Sequence, residues 1–137
     1  MEPWGVLAFQ NDTALDWIWE LEDEDDTFVL SDAFAAVIEA ESEADLDIQT
    51  AEEALAAAEV VAALLDRPLA ELPSEVNIYL SKVRKKQPSS ELVEMATEAV
   101  ERILESSELR DRWVATESAD QWMHAMGDLQ YRLQRRM

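Results

Sequence analysis

Leu92, Met95, Ala96, Ala99, Val100 and Ile103 follow one another in steps of three and one, the spacing that gathers apolar side chains on one face of an α-helix. Similar stripes recur at Ala14, Trp17, Ile18 and Leu21, at Leu30, Phe34, Val37 and Ile38, at Val76, Tyr79, Leu80 and Val83, and at Trp122, Met126, Leu129 and Leu133. No alternating run rich in valine, isoleucine and threonine competes with them, and only two glycines and four prolines interrupt 137 residues. The chain is predicted to be all-α: one domain over residues 1–137, a compact bundle of about six or seven short helices with an N-terminal extended arm. At this length folding buries roughly two-thirds of the unfolded surface, enough for a core without staples.

The expected helix ends follow from local chemistry. Asn11 or Asp12 caps the first helix, and the run Glu22 to Asp26 ends it, because successive negative charges sit badly at the negative end of a helix. Ser31 or Asp32 is the predicted start of a second. A third runs from about Asp47 to Leu65, rich in alanine, with Thr50 and Glu53 at capping-box spacing. Arg67-Pro68 stops it, and Pro73 suits the first turn of a fourth. Lys85 to Ser89 reads as a loop, Ser90 to about Ser106 as a fifth helix, and Leu109 with Trp113 as a short sixth. Ser118 and Gln121 form a capping-box pair opening the last helix, whose final turn carries Arg132, Arg135 and Arg136.

Charge divides the chain in two. The net charge is −20; residues 1–66 hold 19 Asp and Glu and no Lys or Arg, whereas residues 67–137 hold 12 acids and 11 bases, a balance of −1. A half this acidic argues against direct binding of nucleic acid or an anionic membrane and favours a basic protein partner or cations. There is no cysteine, so disulfides, thiolate nucleophiles and cysteine zinc sites are excluded. The opening stretch has no basic n-region and is not read as a signal peptide. The longest apolar run, Ala54 to Leu65, is broken by Glu59 and is too short to span a bilayer. A soluble, cytoplasmic protein without a cofactor is expected.

Trp4-Gly5, Phe9, Asn11-Asp12, Ala14 and Asp16-Trp17 resemble the opening of a bacterial family known as domain of unknown function 4259, in which a second glycine usually stands where Leu7 stands here. The run from Glu53 through Glu59 to Leu64 is similar to that family's central helix, and Ser107-Glu108-Leu109, Trp113 and Trp122 to its C-terminal part. The resemblance covers nearly the whole chain. It implies a small bacterial helical domain and carries no activity, cofactor or catalytic residue.

Read from the residues alone, Gly5 permits a positive φ or a close backbone approach, and Trp4 and Phe9 pin the arm against the core. The alternative is a cleft edged by Trp4 and Asp16. Glu59 interrupts an apolar stretch; it is expected to meet an arginine from the second half, with a catalytic carboxylate as the alternative. The acids Glu20, Glu22, Asp23, Glu24, Asp25 and Asp26 lack the glycine and spacing of an EF-hand and read as a solvated turn. Glu39, Glu41, Glu43, Asp45 and Asp47 alternate without a motif. His124, the one histidine, has no partner for zinc or for a nucleophile triad. Lys82, Arg84, Lys85 and Lys86 form the one basic cluster and are expected to balance the acidic half. The leading functional expectation is an interaction module, an inhibitor or adaptor, that binds a basic protein through Glu22, Asp23, Glu24, Asp25 and Asp26. The alternative is a small carboxylate- or metal-dependent enzyme using Asp16 and Glu59.

Overall fold

The computed structural model describes residues 5–42, 46–83 and 88–134. Among these residues there are seven α-helices and no strand: α1 (Asp12–Trp17), α2 (Phe28–Ile38), α3 (Ile48–Leu64), α4 (Ser74–Val83), α5 (Ser90–Glu105), α6 (Glu108–Val114) and α7 (Ala119–Leu133). A 3-10 turn, Ile18–Leu21, continues α1.

The alanine-rich helix α3 is the hub. Thirteen of its seventeen residues are buried, and it packs against each of the other six helices. From Ala54 to Leu64 only Glu59 is polar; a stretch so nearly apolar all round has to be enclosed, and its small side chains let six neighbours approach at once. The one-sided stripes on α4, α5 and α7 then face inward, with Tyr79, Ile103 and Trp122 among the most deeply buried side chains. Outside the hub, α5 packs on both α2 and α7.

Caps define the helix starts. The buried Asn11 accepts from the Ala14 N–H at 2.7 Å and donates to the Ala8 carbonyl at 3.2 Å, fixing the arm and α1 together. Helix α3 is capped by Asp47, whose carboxylate accepts from the Thr50 N–H at 2.8 Å; Thr50 lies inside the helix and does not open a capping box. Helix α2 starts at Phe28, before Ser31 and Asp32, because the Asp26 carboxylate takes the Phe28 N–H at 3.1 Å. Ser118 precedes α7 without a side-chain cap bond, so the expected pair with Gln121 does not form. Ser89 and Ser107 cap α5 and α6, and the Ser107 hydroxyl also donates to the Ile103 carbonyl at 2.8 Å, tying those helices end to end.

The end of α3 is a Schellman motif. Arg67 N–H donates to the Ala62 carbonyl at 2.9 Å and Asp66 N–H to the Ala63 carbonyl at 3.0 Å, with Asp66 in the left-handed region at φ 65° where glycine is usual. Pro68 follows that turn. Gly5, in contrast, does not have a positive φ. A Cβ there would lie 2.0 Å from the Gln10 side-chain oxygen, which accepts from the Leu7 N–H at 3.1 Å. That oxygen is the far end of a flexible side chain that can turn aside, so neither a positive φ nor a close backbone approach demands glycine there. The described part of the arm bends back on itself, closed by Gln10 N–H to the Leu7 carbonyl at 3.0 Å, and Phe9 is buried. Trp4 lies outside the described residues.

Bases from the second half reach carbonyls at helix ends. Lys82 donates to the Glu22 carbonyl at 2.6 Å, Arg102 to the Ala40 carbonyl at 2.5 Å and Arg67 to the Gln134 carbonyl at 2.5 Å. The last carbonyls of a helix have no partner within it and carry its negative dipole end, so a cation satisfies both demands.

Candidate functional site

Glu59 faces α7 and is committed there. Its two oxygens accept from the guanidinium of Arg132 at 2.6 and 2.8 Å, and the side chains are 4% and 12% exposed. Arg132 also donates to Asp128 at 2.8 Å and to the Arg67 carbonyl at 3.2 Å. Burial pushes the Glu59 carboxyl above the usual range, while Arg132 pulls it down by hydrogen bonding and charge. The expected arginine from the second half is therefore Arg132. Asp16 is exposed on α1, so the structure does not bring it together with Glu59.

Two turns earlier on α3, Glu52 is buried beside the arm. It borders a cavity of about 20 Å³ with Gly5, Val6, Leu7, Ala8, Asn11, Leu55, Leu109, Trp113 and Trp122, room for about one water molecule. Burial raises its carboxyl, opposed by the Thr13 hydroxyl and the Arg112 charge. The residues around it come from the opening segment, the central helix and the C-terminal helices.

The acidic turn Glu22 to Asp26 is held by its backbone. Tyr79 on α4 donates its hydroxyl to the Asp26 carbonyl, and Lys82, one turn on, holds the Glu22 carbonyl. Burial first, then the charges of Asp26 and Glu24, push the Tyr79 hydroxyl up, so it stays a donor. Among the described residues, no base lies within ion-pair distance of these five carboxylates. Aromatic side chains stand at both ends of the turn: Trp19 is 60% and Phe28 72% exposed. Sequence reading missed this pair, although Trp19 falls out of phase with the stripe of Trp17, Ile18 and Leu21, which was the available signal.

Beside the turn lies a cleft of about 150 Å³, with Trp17 and Val29 in its lining and the acids Glu20, Asp32 and Glu53 around it. Burial and the negative charges of Glu20 and Asp47 hold the Glu53 carboxyl up, against a hydrogen bond from Gln49. No set of three or more acidic or histidine side chains among the described residues is arranged to hold a metal ion. His124 is exposed on α7. Glu39 and Glu41 are exposed, Asp47 is the α3 cap, and Glu43, Asp45, Arg84, Lys85 and Lys86 lie outside the described residues. No helix among the described residues is long and apolar enough to cross a membrane.

The fold defines a small all-α protein wound around one enclosed helix. The chain belongs to the family described as domain of unknown function (DUF4259), whose model matches residues 3–125. No curated protein and no solved structure matches it.

Proposed function

We propose that this chain is a non-enzymatic interaction module of the bacterial cytoplasm, an inhibitor or adaptor, that holds a basic protein partner through its acidic face. The observation behind this reading is the anchored turn. Tyr79 and Lys82 fix its backbone by the Asp26 and Glu22 carbonyls, while no base among the described residues is in ion-pair distance of its five carboxylates. A surface ordered before binding loses less entropy on association, and a concentrated negative field speeds capture of a basic partner.

The test is capture from native cell lysate at low salt, with charge reversal at two places. One variant reverses Glu22, Asp23, Glu24 and Asp25 to lysine; the other reverses Glu91, Glu94, Glu98 and Glu101, exposed acids on α5. Both change net charge equally. The reading expects the first to lose a basic partner that the second keeps. Identical partner lists from wild type and the turn variant, or equal loss in both variants, would refute it.

A further inference from the structure

The surface between the 3-10 turn and α2 is more than an acidic stretch. Trp19 and Phe28 are exposed to 60% and 72%, and each is next in the chain to a residue lining the cleft, Glu20 and Val29. Large aromatics left in water on a soluble protein mark surfaces that bind, since they supply most of the energy of protein interfaces. The cleft beside them presents Glu20, Asp32 and Glu53, and no base among the described residues is paired with any of the three. Because no three acids close on a point as metal ligands do, a single ion is a poor match. A volume of about 150 Å³ suits one long side chain that carries its charge at the tip. Only lysine and arginine combine an apolar stem, which can lie along Trp17 and Val29, with a cationic head for the carboxylates.

We infer that the partner is recognised by a basic amphipathic segment: one lysine or arginine enters the Glu20–Asp32–Glu53 cleft while neighbouring large apolar residues cover Trp19 and Phe28. This rests on the acidic-face reading and adds the anchor to it. Charge alone brings a partner near and sets the rate of encounter, whereas burial of the aromatics sets how long it stays. It also means that a polycation without apolar residues is a weak ligand.

Two synthetic peptides of equal length and charge separate these contributions, one alternating lysine with leucine at helical spacing, the other with serine in place of leucine. Binding is followed by calorimetry and by tryptophan emission, the part due to Trp19 among the five tryptophans being the difference between wild type and Trp19→Ala. Wild type should bind the lysine–leucine peptide at least about tenfold more tightly than the lysine–serine peptide, with a blue shift. Trp19→Ala with Phe28→Ala should erase that preference, and Asp32→Asn with Glu53→Gln should weaken both peptides severalfold, each variant keeping the wild-type helical signal. Equal affinities in wild type, binding of neither peptide, or a preference that survives in the aromatic variant, overturns the inference. If the preference vanishes but reversal of Glu22, Asp23, Glu24 and Asp25 leaves lysate capture unchanged, the acidic-turn reading falls by itself.

Discussion

Replacing Arg132 by leucine isolates the cost of burying one carboxylate. The substitution removes both hydrogen bonds to Glu59, at 2.6 and 2.8 Å, and one to the Arg67 carbonyl at 3.2 Å. It leaves the Glu59 side chain 4% exposed and charged without a partner. Removing one member of a buried pair costs about 3–5 kcal/mol; the contact with the half-exposed Asp128 adds little. The double variant Glu59→Leu/Arg132→Leu removes the orphaned charge as well, so its loss should be nearer 1 kcal/mol, the value of the hydrogen bond to Arg67. Without Arg132, burial acts unopposed and the Glu59 carboxyl rises further. A carboxyl raised in the folded state binds its proton more tightly there, so the deficit is full above its folded pKa and shrinks as pH falls through it. Urea unfolding followed by circular dichroism, run at about pH 8 and about pH 5, reads both effects. A single variant that loses under about 1 kcal/mol, as an exposed pair would, or a deficit unchanged by pH, refutes the argument.

Glu52, Glu53 and Glu59 all have carboxyls raised in the folded state, so their contribution is greatest below the unfolded carboxylate pKa and is lost as pH rises through the folded values; wild-type melting temperature should therefore rise from neutral pH to about pH 5, and a fall over that window would contradict it. Asn11→Ala should cost about 1–2 kcal/mol in chemical denaturation through loss of the α1 cap, and a variant equal to wild type would show that the arm is held elsewhere. Asp66→Gly should stabilise by about 1 kcal/mol, since it relieves a left-handed residue; any destabilisation by calorimetry would count against the Schellman assignment. Added salt should raise the melting temperature, divalent cations more than monovalent, by screening the 19 acids of residues 1–66, and a salt-independent melt would deny that self-repulsion matters.

The helices were legible because their stripes are one-sided: α5 and α7 announce their buried faces residue by residue. What α3 does was harder to read, since its run Ala54–Leu64, apolar all round but for Glu59, gives no direction, and only packing reveals that all six neighbours meet on it. The start of α2 was misplaced by a few residues, and the start of α3 was read correctly but its cap was assigned to Thr50, both for one reason. Asp26 and Asp47 each cap from just outside the helix, and in so acidic a chain they look like any other acid. Glu59 was recognisable as a misfit in an apolar run, but its partner lies 73 positions away and no local pattern names Arg132. The cleft was out of reach for the same reason, because Glu20, Asp32 and Glu53 belong to three separate elements.

That α3 touches every other helix has a consequence during synthesis. Four of its six walls, α4 to α7, emerge from the ribosome after it. Until then the stretch Ala54–Leu65 has only α1 and α2 to cover it, and a half-made chain with a bare apolar helix is prone to cluster with its copies. Those first 66 residues carry 19 acids and no base, so nascent chains repel each other strongly at short range. The charge that opposes closure of the finished bundle thus also opposes clustering of the unfinished one.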